Sequence, residues 1–280
     1  MTIGIGVLAD SVEGRKKKIV PDTLILIADT MGSFGDTDSH ARLHKACMKP
    51  EHGVYCVIAD QVDKGAELFE VICNCVAGVP KSERTYGRIL TALAEACLSY
   101  KRHKFEICEL PKLRLPPQWI DPRTVPPDLQ RTVQERWEDF DIHCDLVLGV
   151  FDNNGCAWLF QVKGKEHEIL NVTFPGFSAI GSGADNALSW LSRRQHTLGL
   201  IPVRAAYHAY EAKLMAEGSA HVNKHSDIVV ATNESHWFCT THKSVSGLPE
   251  HPEINIKNLK RLFKRYGIRD TDKLGRPLTE

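Results

Sequence analysis

A threonine stands second in the chain, an Asp29-Thr30 pair follows, and Lys45 lies sixteen residues past that aspartate. With Met1 removed, Thr2 would carry in one residue a hydroxyl nucleophile and a free α-amine able to act as its base, one of the few ways to activate an alcohol for acyl transfer. An α-amine has an ordinary pKa of about 7.7–8.0, close to operating pH, where a general base works best. An ionised lysine beside it favours the neutral amine and stabilises the alkoxide that forms during attack, and an aspartate beside the lysine holds it charged. Thr2, Asp29 and Lys45 are therefore candidates for nucleophile, orienting acid and electrostatic stabiliser.

Local sequence must bring these residues together. Thr2 to Leu8 is short and rich in β-branched residues, and Thr23 to Ala28 is an apolar run too short for an ordinary helix, set between Pro21-Asp22 and Asp29. Paired antiparallel as a long-tipped hairpin, the two strands put the end of the second beside the start of the first, so Asp29 is expected near Thr2. Further strands are expected over Lys45 to Lys49, Val54 to Ala59, Leu146 to Asp152, Trp158 to Val162, Asp227 to Thr232 and His236 to Thr241. Helical spacing of apolar residues predicts helices over Lys64 to Val76, Glu83 to Lys101, Leu129 to Phe140, Asn186 to Arg194, Val203 to Ala216 and Ile254 to Tyr266. Pro111 to Asp128 holds too many prolines for a helix interior and reads as a surface excursion. The order of strands, two helices, strands and two helices predicts an α+β fold: a four-layer αββα sandwich, two antiparallel sheets between helical layers.

Thr2, Asp29-Thr30 and Lys45, in this order and spacing, resemble the proteasome β subunits and their bacterial relatives, threonine peptidases of the N-terminal-nucleophile (Ntn) hydrolase superfamily. Ile58-Ala59-Asp60-Gln61-Val62-Asp63 is similar to that family's Ala-Gly-Gly-x-x-Asp motif, and Ala179-Ile180-Gly181-Ser182-Gly183-Ala184 to its Gly-Ser-Gly turn before a helix. The resemblance runs from about Thr2 to Thr241. It implies that the Ala59 backbone N–H serves as oxyanion donor and that Ser182 positions the terminal amine. It also implies a homo-oligomeric ring or stacked rings enclosing the sites, a peptide or protein substrate, and an ATP-dependent unfoldase as partner. Three features depart from the family: alanine in place of glycine at position 59, a lengthened first hairpin, and Glu217 to Lys224 where a second aspartate and a Ser-Gly pair are expected.

The domain reading is one Ntn-hydrolase domain over 1–243, with a proline-rich insertion near 103–143, and a helical extension over 244–280. The chain has 280 residues, 42% hydrophobic and 25% charged, with a formal net charge of zero, so charge gives no sign of a nucleic-acid or membrane partner. No segment approaches the roughly 18 apolar residues that span a bilayer. Nine scattered cysteines read as reduced core residues, and the expected location is cytoplasmic. Arg15 to Lys18 reads as a solvated loop tip. His236-x-x-Cys239-x-x-His242 is not read as a metal site, because alternate strand residues point to opposite faces. The expected chemistry needs no metal or nucleotide, so no cofactor is assigned. The expected function is a threonine-type peptidase or amidase; the alternative is a non-catalytic, structural proteasome-like subunit in which Met1 stays on Thr2.

Overall fold

The computed structural model describes residues 3–10, 21–30, 45–116, 125, 127–163, 168–219, 222, 225–241 and 261. Thr2, the Arg15 to Lys18 tip, His242 and all of the expected C-terminal helix but Arg261 lie outside them.

Among the described residues ten strands and five α-helices follow in order: β1 (Ile3–Ala9), β2 (Thr23–Asp29), β3 (Ala46–Lys49), β4 (Val54–Asp60), α1 (Val62–Ala77), α2 (Tyr86–Cys108), α3 (Pro127–Asp139), β5 (Cys144–Phe151), β6 (Ala157–Lys163), β7 (Glu168–Asn171), β8 (Phe177–Gly181), α4 (Ala184–Arg193), α5 (Pro202–Ala216), β9 (Ser226–Thr232) and β10 (His236–Thr241). One sheet has the order β10-β9-β2-β1-β8 and the other β3-β4-β5-β6-β7, with every neighbouring pair antiparallel. This is the expected four-layer sandwich.

Three apolar clusters explain the layering. Strand residues alternate between faces, so Ile5, Ile25 and Val230 pack against Leu191 of α4 and Ala205 of α5, while Leu24, Leu26 and Val229 turn inward to meet Val57, Val147 and Leu159 of the other sheet. On the far side Cys56, Ile58, Leu146 and Leu148 pack under Leu68, Ile72 and Leu93 of α1 and α2. Because these strands are covered on both faces, they read in sequence as continuous apolar runs. Gly65 lets α1 approach β4 closely, since a Cβ there would lie 2.3 Å from Ile58 Cγ2.

Two expectations need correction. The second helix runs on to Cys108, seven residues past Lys101, because Phe105 is buried against Trp137 and Phe140. Within the proline-rich stretch Val125 is not superficial: it is buried with Phe105, Leu110 and Val133 in a small fourth cluster.

The two ends of the sandwich are tied differently. At the end where β4 begins, the Arg84 guanidinium donates to the carbonyls of His52 (2.6 Å) and Val79 (3.1 Å), and the Ala157 N–H donates to the Pro21 carbonyl (2.7 Å), joining the second sheet to the entry of the first. At the other end β2 and β4 terminate and β1 begins. Among the described residues, no helix is long and apolar enough to cross a membrane.

Candidate active site

The end at which β1 begins holds a buried polar cluster. The β1/β2 register pairs Gly4 with Ala28, and one step further the Ile3 N–H donates to Asp29 Oδ1 at 3.1 Å. The same oxygen accepts from Lys45 Nζ at 2.8 Å. Asp29 is fully buried and Lys45 is 1% exposed. Lys45 precedes β3, so this contact joins the first strand of one sheet to the second strand of the other. The clustering follows from the antiparallel hairpins, which return Asp29 to the start of β1 and set the Lys45 carbonyl against the Ile58 N–H at 2.9 Å.

Burial pushes the Lys45 ammonium below its ordinary range, opposed by the charge and hydrogen bond of Asp29 and then by the charge of Asp227. Asp227 and its neighbour Ser226 are fully buried at the start of β9, in register with Ala28 and Asp29. Neither carried a role in the sequence reading. The available signal was an acid at the head of the apolar run Ile228 to Ala231, but its approach to Lys45 depends on β9 pairing with β2 across about two hundred residues of chain. Thr30 is also buried, and its hydroxyl has no partner among the described residues.

The remaining candidates lie at the same end. Gly181, in the left-handed region at φ 89°, pairs with Ile3, so exposed Ser182 follows directly beside the start of β1. Ala59 is buried next to Ile58. Successive N–H groups on a strand point to opposite sides: the Ile58 N–H goes to Lys45 and the Gln61 N–H goes to His143 beside β5. The Ala59 N–H is thus directed toward β5, where the register pairs it with Asp145, and Asp60 follows at φ 64°. Thr2 lies outside the described residues; its chain neighbour Ile3 is the residue bonded to Asp29. In the segment Glu217 to Lys224, the Ser219 hydroxyl accepts from Asn186 of α4 at 2.9 Å. Among the described residues, no group of three His, Cys, Asp or Glu side chains is placed to hold a metal ion.

A crystal structure of eukaryotic HslV from Trypanosoma brucei is similar to this chain, with a TM-score of 0.50 at 16% identity, over 82% of this chain and 99% of that one. The fold is shared with HslV. No family model matches the sequence, and no curated protein matches it. At this identity the HslV likeness shows the fold alone.

Proposed function

We propose that the chain is a threonine-type Ntn peptidase or amidase in which Thr2, freed by removal of Met1, is the nucleophile. The observation that carries this reading is the Lys45–Asp29 ion pair, buried at the start of β1 and held there by the Ile3 N–H. Stability alone does not account for such a pair. Taking both charges out of water costs several kcal/mol each, and apolar replacements are often neutral or stabilising. A buried ammonium held by the same aspartate that binds Ile3, the chain neighbour of Thr2, is the electrostatic device that an alkoxide-forming reaction needs.

In the proposed cycle Thr2 Oγ attacks the amide carbonyl carbon while the Thr2 α-amine takes the hydroxyl proton. The Lys45 ammonium lowers the cost of the developing negative charge, and Asp29 keeps Lys45 oriented. The amine then gives its proton to the leaving nitrogen, the C–N bond breaks, and water hydrolyses the acyl ester on Thr2. Ser182 is assigned to the α-amine through its place beside the start of β1. We assign the assembly as a ring or stacked rings in the cytoplasm, working on peptide or protein substrates with an ATP-dependent unfoldase.

One observation favours a second reading, a structural subunit retaining Met1. The Ala59 N–H, assigned as oxyanion donor, points toward Asp145 of β5. A peptidase requires that amide to turn out of the ladder when substrate binds.

Intact-mass measurement separates the two readings. The peptidase reading expects a chain lacking Met1 and covalent labelling by a threonine-directed electrophile that is lost in Thr2→Ala. Retention of Met1 in preparations that hydrolyse peptides, or equal labelling of wild type and Thr2→Ala, overturns it. Lys45→Ala is expected to abolish turnover while leaving the oligomer intact by sedimentation.

A further inference from the structure

Cys47 on β3 and Cys56 on β4 are register partners, and β3 is the edge of its sheet. The Ile58 N–H to Lys45 carbonyl bond fixes the ladder type two residues away, making Cys47 and Cys56 a hydrogen-bonded pair, for which Cα atoms stand about 5.5 Å apart. That separation lies inside the range a disulfide spans. Both side chains turn toward α1 in the same apolar cluster. Their surroundings differ. Cys47 is half-buried and lines an open cleft with Lys49, Ala66, Phe69 and Glu70, whereas Cys56 is fully buried. The Cys56 thiol holds the Cys47 thiol below its ordinary range, with a smaller pull from Lys49, against burial and the charges of Glu70 and Asp227. Burial pushes Cys56 well up. A reachable thiol of lowered pKa beside a shielded partner is the arrangement of an attacking and a resolving cysteine.

We propose that Cys47 and Cys56 are a peroxide-reactive dithiol that closes to a reversible cross-strand disulfide. The Cys47 thiolate sulfur attacks one oxygen of hydrogen peroxide, the O–O bond breaks, and the sulfur becomes a sulfenic acid while the departing hydroxide takes the thiol proton as water. The Cys56 sulfur then attacks Cys47 sulfur, the S–O bond breaks, and the leaving hydroxide takes the Cys56 proton as a second water. Two thiols are oxidised by two electrons and one peroxide is reduced. A dithiol reductant reverses the change. The new bond lies two residues from Lys45, so oxidation fixes β3 to β4 on the strand pair that carries that lysine.

The test treats the full chain with hydrogen peroxide, alkylates the remaining thiols and maps the peptides by mass. Wild type is expected to lose alkylation at Cys47 and Cys56 together, with a mass decrease of about 2 Da that dithiothreitol reverses. Cys56→Ala is expected to leave a sulfenic acid on Cys47, trapped by dimedone, and Cys47→Ser to show neither product at the same dose. The wild-type map stands without the variants. Unchanged alkylation of Cys47 after peroxide, or its joining to Cys73 in place of Cys56, overturns the proposal.

Discussion

Lys45 and Asp29 form an ion pair across the gap between the two sheets, 2.8 Å from Nζ to Oδ1, with neither side chain more than 1% exposed. At this burial the partners are interdependent, because each neutralises a charge that the interior would otherwise expel.

Removing one partner should cost far more than removing both. Lys45→Met is expected to lower unfolding free energy by about 3–5 kcal/mol, and the double variant Asp29→Leu with Lys45→Met to lose less than either single change. Urea denaturation reads both. Equal and additive losses would show the pair is not coupled.

Asp227 raises the Lys45 pKa against burial, so Asp227→Asn should move the Lys45 titration further down. NMR titration of the Lys45 side chain measures the midpoint, with Asp227→Glu expected to restore it. An unmoved midpoint would remove Asp227 from the site.

His196 gives a pH dependence unrelated to catalysis. It is 5% exposed, its Nε2 lies 3.2 Å from the Leu8 carbonyl, and its ring lies beside His208. Burial, with a smaller push from His208, lowers its pKa from 6.5 to about 4, despite the Leu8 bond. Between those values the unfolded chain binds a proton that the fold refuses, so this contribution is complete above pH 6.5 and is lost as pH falls toward 4, by about 3 kcal/mol in all. Urea midpoints at pH 7 and 4.5 should diverge more in wild type than in His196→Gln.

Asp60 holds φ 64°, where a side chain is strained and a β-branched one more so. Asp60→Gly is expected to leave the melting temperature unchanged or raised, and Asp60→Val to cost about 1–2 kcal/mol. Thermal melts that rank the two variants the other way would place the strain elsewhere.

The sandwich was legible because strands buried on both faces leave apolar runs such as Thr23 to Ala28; Asp29 was legible because hairpin pairing is local, and Lys45 through its spacing from Asp29 in the family resemblance. Features made by distant contacts were not. The edge strand β7, Glu168 to Asn171, has only Ile169 and Leu170 as apolar residues and is defined by its pairing with β6. The end of α2 was hidden because Lys101 to Lys104 resembles the basic last turn of a helix, while Phe105 continues it for the sake of Trp137. Asp227 carried no local mark of its proximity to Lys45. The direction of the Ala59 N–H depends on register with β5, which composition does not encode.

The unlike fastenings at the two ends give the molecule a polarity. The Ala157 to Pro21 contact is a neutral main-chain hydrogen bond, whereas the Lys45–Asp29 clasp is a buried side-chain ion pair. A substitution that discharges the clasp is therefore expected to loosen the sandwich where Ile3 begins and to leave the opposite seam, at Ala157 and Pro21, in place.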